Sequence, residues 1–290
     1  MIEGSIVALI TPFKDNGDID FDRLGELIEY HIKEKTDGIL VLGTTGESPT
    51  LTHDEDEAIA AFTIKKSNKR IPIIVGSGSN STKTAVEQSI KYEKMGADAL
   101  LVITPYYNKT NEAGMLAHFE SVANAVKVPL ILYNVPSRTG CSISIPVLTK
   151  LSKMKNIVAI KEASGNISYA MNVAKLCNDE FCMYSGNDDI VVPMLSIGSK
   201  GVISVAANII PNEMHTLVRE YLDGNIESSL TIQLKYLEFI HALFIETNPI
   251  PIKEAMLIAK HGVGGYRLPL TNMSDSNKEV LKATMKVLKN

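Results

Sequence analysis

The chain has 290 residues, 45% of them hydrophobic and 21% charged, with a formal net charge of −4. That is enough apolar material for a sizeable core in one large domain or two ordinary ones. No basic block gives a nucleic-acid footprint, and no apolar run approaches the roughly 20 residues of a membrane span.

Met1 to Ser5 run straight into a strand-like segment, with no charged leader or apolar core of a signal peptide, so none is expected. Apolar runs of strand length then recur eight times: Gly4–Phe13, Asp37–Gly46, Ile71–Gly78, Ala97–Pro105, Val128–Pro136, Ile157–Ser164, Cys182–Asp188 and Gly201–Asn208. They are almost continuously apolar, as parallel strands buried on both faces must be. Each is followed by polar or glycine-rich residues and room for a helix. Leu24-Leu27-Ile28 and Ile90-Met95 carry helical apolar spacing, and Thr52 with Glu55 forms a capping box. Pro211 suits a first helical position, and Gly224 suits that helix's end. Strand and helix alternating in this way predict a (β/α)₈ barrel, α/β in class, over residues 1–224. Beyond Gly224 the pattern turns helical, over Ser228–Thr247, Ile252–His261 and Ser276–Leu288, which predicts a small three-helix appendage over residues 225–290.

Three cysteines, Cys141, Cys177 and Cys182, leave an odd thiol in any pairing scheme, so reduced thiols in a cytoplasmic protein are expected. The six histidines are scattered without an H-x-x-x-H pair, and no metal site is expected. Gly76-Ser77-Gly78-Ser79-Asn80 fails the spacing of a nucleotide-binding loop.

In such a barrel, chemistry belongs at the C-terminal ends of the strands. Lys161 follows Ile157-Val158-Ala159-Ile160 and so lies in a buried strand. Desolvation disfavours the ammonium there and leaves a neutral amine for attack on a carbonyl. The plainer alternative is a strand-end lysine paired with Glu162 or another acid. Lys253, after Pro249-Ile250-Pro251 at a helix start, is the contrast, and an ordinary surface or interface role is expected for it.

Thr44 and Thr45 stand in a glycine-flanked turn whose backbone N–H groups suit a carboxylate, although the same sequence makes an ordinary tight turn. Tyr107 and Tyr133 are phenols at neighbouring strand ends, able to pass protons or simply half-buried aromatics. Arg138, just beyond Tyr133, can clamp a carboxylate with two hydrogen bonds or remain a solvated loop residue.

Gly43-Thr44-Thr45-Gly46-Glu47, Tyr133-Asn134-Val135-Pro136 and Lys161 together resemble the pyruvate-dependent class I aldolase family, over the chain from about Gly4 to the final helices. Within it, Thr44-Thr45, Tyr106-Tyr107-Asn108 and Pro136-Ser137-Arg138-Thr139-Gly140 resemble the dihydrodipicolinate synthases. N-acetylneuraminate lyases usually carry serine at the position of Thr44 and lack the arginine at 138. The resemblance implies that pyruvate condenses with Lys161 and that its carboxylate sits on Thr44, Thr45 and the Thr45 hydroxyl. It implies a proton relay of Thr44, Tyr133 and Tyr107, with Tyr107 supplied by a neighbouring subunit of a homotetramer built from tight dimers. Arg138 would hold the carboxylate of aspartate semialdehyde, and the backbone at Gly186 and Ile203 would line the pyruvate pocket. The product would be 4-hydroxy-tetrahydrodipicolinate, made without metal or organic cofactor. Another pyruvate aldolase acting on a sugar acid is the alternative enzyme, and a catalytically silent relative is the alternative of another class.

The resemblance also implies a lysine-binding regulatory cleft with suitable residues at Ser48, His53, Asn80 and Tyr106. Asp56 and Thr84 depart from that pattern, where a histidine and a glutamate are usual, and Pro49 replaces a small residue. Weak or absent lysine inhibition is therefore expected, because a buried ammonium needs a charged acceptor.

Overall fold

A computed structural model describes residues 2–289; Met1, which opens the leader reading above, lies outside the described residues. Eight short parallel strands close into one barrel: β1 Gly4–Ala8, β2 Gly38–Val41, β3 Ile73–Gly76, β4 Ala99–Ile103, β5 Leu130–Asn134, β6 Ile157–Glu162, β7 Cys182–Ser185 and β8 Gly201–Ser204. Each pairs with the next, and β8 returns to β1 with Ile203 opposite Ile6. Every strand lies inside one of the eight expected runs. The runs were longer because apolar residues continue into the loops at the barrel mouth.

Alternation along each strand sorts the core into two layers. Ile6, Ala8, Leu40, Leu101, Ile131, Tyr133, Ala159, Cys182, Tyr184 and Ile203 fill the barrel interior. Their neighbours Val7, Ile39, Val41, Leu100, Val102, Leu132, Ile160, Met183 and Val202 face outward into the layer under the helices. Leu24, Leu27 and Ile28 of the first helix, Phe21–Lys33, are buried as expected. In the helix Thr82–Met95 the buried stripe is Ala85, Ser89 and Tyr92, so Ile90 and Met95 are only partly covered.

Local signals hold where they were read. Thr52 and Glu55 form both bonds of a capping box at the helix His53–Ser67. Pro211 opens the helix Pro211–Leu222, and Gly224 follows its end at φ +91°. Three helices follow, Ile226–Ala242, Ile250–Ile258 and Asp275–Thr284. The first ends well before the expected Thr247. Asn248-Pro249 and Pro251 lie just ahead, and the residue before a proline is pushed out of helical geometry. Residues 244–248 instead line the cavity at the barrel mouth.

Candidate active site

The strand period places the central lysine. Lys161 shares the parity of the inward residue Ala159 and stands opposite Tyr133 of β5 in the sheet register. It is 5% exposed, and its amine lies 4.4 Å from the centre of the Tyr133 ring. Among the described residues, no side-chain hydrogen bond or ion pair engages it. Glu162 has the opposite parity, so the plainer alternative of a Lys161–Glu162 pair does not form. Its carboxylate accepts Asn134 Nδ2 and the Ser164 N–H, both at 2.7 Å, and burial raises its pKa.

The Lys161 side chain opens into a cavity of about 620 Å³ at the barrel mouth. Thr44, Thr45, Tyr133, Arg138 and Gly186 share that wall, together with Ala8, Ala163 and Asn248. The fold thus gathers these expected residues from four strand ends. Gly186 is required by space: a Cβ there would stand 2.5 Å from the Ala163 Cβ. Ile203 lies in the inner barrel cluster with Ala8, Leu40 and Tyr133, while Val205 is the wall residue just past β8. Tyr107 does not reach the cavity within this chain. It is 89% exposed, on a left-handed backbone at φ 68°.

Behind the lysine, Asp188 is buried at the end of β7. One carboxylate oxygen accepts the Val205 and Ala206 N–H groups at 2.9 and 3.0 Å, and the other has no partner among the described residues. Burial raises its pKa, against these bonds and the nearby Lys161 charge.

The Thr44–Gly46 turn is a single 3-10 turn rather than a loop bent at its glycines. Gly43 is extended, and the left-handed position falls on Glu47, at φ 56° and ψ 29°. A non-glycine residue there costs on the order of 1–3 kcal/mol and persists only when its surroundings hold it. The holder is Lys253. The surface role expected for that lysine is wrong: it is 0% exposed and meets the Glu47 carboxylate at 2.7 Å. Its other two protons go to the carbonyls of Thr11 and Gly265. Burial lowers its pKa, while Glu47 pulls the other way. The partner that defines Lys253 is 206 residues away in sequence, beyond any local pattern.

Sequence reasoning also missed Asn248, which falls in the gap between the expected helices Ser228–Thr247 and Ile252–His261 and was given no role. Its amide nitrogen donates to Thr45 Oγ1 at 3.0 Å, and its backbone carbonyl accepts from Arg138 at 3.0 Å. The Asn-Pro dipeptide was the available signal.

A second cavity of about 410 Å³ shares Thr44, Tyr133 and Arg138 with the first. It brings Ser48, His53 and Tyr106 together with Asp56, Thr84 and Gln88. Asn80 lies off this wall, its carbonyl taken by Asn108. Asp56 is the carboxylate on the wall; burial pushes its pKa up to about 7, with His53 Nδ1 3.8 Å away. Among the described residues no group of three or more His, Cys, Asp or Glu side chains is placed to hold a metal ion. All three cysteines are free thiols, and burial pushes those of Cys177 and Cys182 up to about 11.

Residues 1–288 match the family model described as the dihydrodipicolinate synthetase family. A 4-hydroxy-tetrahydrodipicolinate synthase of Clostridium perfringens (strain SM101 / Type A) is 49% identical over 286 residues, 99% of this chain and 98% of the relative. One from Caldicellulosiruptor saccharolyticus is 52% identical over 285 residues, 98% of this chain and 96% of the relative. The crystal structure of dihydrodipicolinate synthase from Aquifex aeolicus superposes with a TM-score of 0.96 at 44% identity, covering 99% of this chain and 98% of that one. With a barrel mouth that gathers the lysine, the paired threonines, the tyrosine and the arginine, and with similarity along its whole length, this chain belongs to the dihydrodipicolinate synthetase family.

Proposed function

We propose that Lys161 is the Schiff-base nucleophile of this enzyme. The chain is a lyase that condenses pyruvate with L-aspartate 4-semialdehyde to give 4-hydroxy-tetrahydrodipicolinate, on the way to diaminopimelate and lysine. The observation that carries the assignment is a buried amine that no acceptor among the described residues engages, opening into a cavity with hydroxyls, a phenol and a guanidinium on its wall. Neutral Lys161 attacks the pyruvate carbonyl carbon, and loss of water leaves an iminium. The iminium draws electrons, so a methyl proton departs and an enamine forms. The enamine carbon attacks the semialdehyde carbonyl, and ring closure by the substrate amine releases Lys161.

Each step moves a proton over a short distance, which suits the Tyr133 phenol and the Thr44 hydroxyl on the same wall. The Thr44–Thr45 turn receives the pyruvate carboxylate, and Arg138 the carboxylate of the semialdehyde. Gly186 and Ile203 supply backbone around pyruvate. Tyr107 completes the relay across a subunit interface. Support for that reading is an exposed aromatic pair, Tyr106 at 38% and Tyr107 at 89%, on a loop beside the site. We read the assembly as a homotetramer of tight dimers in the cytoplasm. No helix among the described residues is long and apolar enough to cross a membrane.

The test is borohydride reduction in the presence of pyruvate. One pyruvate-derived adduct per chain is expected, on the peptide that contains Lys161. Undiminished labelling of the Lys161→Ala variant overturns the assignment.

A further inference from the structure

Asn248 is 6% exposed, yet its amide is only half satisfied: the nitrogen donates to Thr45 Oγ1 at 3.0 Å, while Oδ1 is buried without a partner among the described residues. A buried polar atom left unpaired is a stability cost that folds rarely carry without reason. The reason is legible in the hydroxyl it touches. A threonine hydroxyl has one proton to give and two lone pairs to receive. When an amide N–H occupies a lone pair of Thr45, the single Thr45 proton stays free to be donated elsewhere. If an acceptor stood in place of that N–H, it would draw the Thr45 proton to itself and leave a lone pair turned toward the cavity. A carboxylate bound there needs the first arrangement, because it accepts hydrogen bonds and donates none.

Two further contacts fix where Asn248 stands. Its backbone carbonyl accepts from Arg138 at 3.0 Å, and Lys253, five positions on in the helix Ile250–Ile258, is bonded to Glu47 at the end of the threonine turn. The segment that carries Asn248 is thus tied to both groups that are proposed to receive substrate carboxylates.

We propose that Asn248 is a positioning residue for the condensation: it donates its amide proton to Thr45 Oγ1 and so commits the Thr45 hydroxyl to donate to the pyruvate carboxylate. This rests on the reading of Thr45 as a contact of that carboxylate. Asn248 itself needs no contact with substrate. Its influence runs through the polarity of one hydroxyl, so it acts on pyruvate more than on aspartate semialdehyde. The Arg138 tether uses the backbone carbonyl and survives any side-chain change.

The experiment measures KM for each substrate, kcat and the thermal midpoint of the full-length enzyme with Asn248→Asp, Asn248→Ala, Thr45→Val and the Thr45→Val/Asn248→Ala pair. Asn248→Asp is nearly the same shape but accepts where the amide donates. It is expected to raise KM for pyruvate about ten- to a hundredfold, the scale of one hydrogen bond to a charged group. Asn248→Ala is expected to raise it less, with KM for aspartate semialdehyde and the melting temperature little changed. In the Thr45→Val background Asn248→Ala is expected to add nothing to KM for pyruvate, since the hydroxyl it acts through is gone. Full additivity of the two changes overturns the proposal. So does an Asn248→Ala enzyme whose only defect is a lower melting temperature. If Thr45→Val alone leaves KM for pyruvate unaltered, the carboxylate reading of Thr45 fails, and the role of Asn248 falls with it. Should Asn248→Asp fail to fold, the Ala variants decide the question alone.

Discussion

Lys161 and Lys253 are both lysines taken out of water, at 5% and 0% exposure, and the fold treats them in opposite ways. Lys253 gives its three protons to one carboxylate and two carbonyls, and the rings of Phe13 and Tyr266 close over it at 4.5 and 5.1 Å. Lys161 has a phenol ring beside it and open space ahead. A buried ammonium with every donor matched is held for good, and it fixes geometry. A buried amine that no acceptor among the described residues engages keeps its nitrogen open to something that arrives from outside. Burial by itself therefore does not mark the proposed nucleophile; unmatched burial sets Lys161 apart from Lys253.

The sharpest way to break this contrast is to remove each lysine in turn. Lys253→Ala leaves Glu47 as an uncompensated buried charge and is expected to destabilise the fold by about 3–5 kcal/mol. The molecules that remain folded should still form the pyruvate adduct. Lys161→Ala should melt at or above the parent temperature and form no adduct. Replacing both members of the structural pair, Lys253→Met with Glu47→Gln, should recover much of the lost stability, because a well-packed neutral pair often equals a buried ionic one. Equal melting temperatures for Lys253→Ala and the parent in chemical and thermal denaturation would dissolve the distinction.

The same logic extends to groups whose partners are absent from one chain. Tyr107 has an exposed phenol on a left-handed backbone, and the proposed relay sets it against a neighbouring subunit. Tyr107→Phe is expected to lower kcat by about a hundredfold or more, the usual weight of a proton-transfer group, while pyruvate trapping continues. Sedimentation at assay concentration supplies the check: a fully active monomer removes the shared relay.

Arg138 stands between the two lysines in kind. Among the described residues its guanidinium makes one recorded hydrogen bond, to Asn248, and keeps the rest of its fork for the cavity. Arg138→Ala should cost roughly ten- to a hundredfold in kcat/KM for aspartate semialdehyde and leave adduct formation with pyruvate nearly intact. Loss of trapping in parallel would make it a structural residue like Lys253.

The smallest effect concerns an ammonium that belongs to neither site, that of free lysine. To settle in the cleft beside Tyr106 it needs what Lys253 has, an ionised carboxylate at the right place. Thr84 offers a neutral hydroxyl, and the Asp56 carboxyl, pushed up to about 7 by burial, is only partly ionised near neutrality. Lysine at submillimolar concentration should inhibit weakly or not at all near neutral pH. Because a raised carboxyl ionises as pH climbs through its pKa, what inhibition exists should strengthen between about pH 6 and about pH 8. Half-inhibition at submillimolar lysine near neutrality would refute this account of the cleft.

Much of the site was legible because the residues concerned lie at strand ends, where period and position are local properties. Parity within Ile157–Glu162 turns Lys161 inward and Glu162 outward, and both facts follow from the strand pattern once the mouth of the barrel is known. Thr44, Tyr133 and Arg138 were found for the same reason. What stayed hidden depends on pairs far apart in the chain. Lys253 looked like a helix-start lysine because nothing near Pro249 announces Glu47. Asn248 was passed over as a connector between two expected helices, the first of which was drawn to Thr247, beyond its true end at Ala242. The left-handed residue of the threonine turn was equally unreadable, since it is Glu47 rather than one of the flanking glycines.

The clasp between the threonine turn and the last helices also has an order in time. Glu47 and Thr45 leave the ribosome 206 and 203 residues ahead of Lys253 and Asn248. All eight strands and Lys161 precede Val205 in sequence order, whereas the cation that meets the left-handed Glu47 comes from the helix Ile250–Ile258. The corner of the threonine turn and the wall beside Lys161 are thus completed by residues from the far end of the described chain.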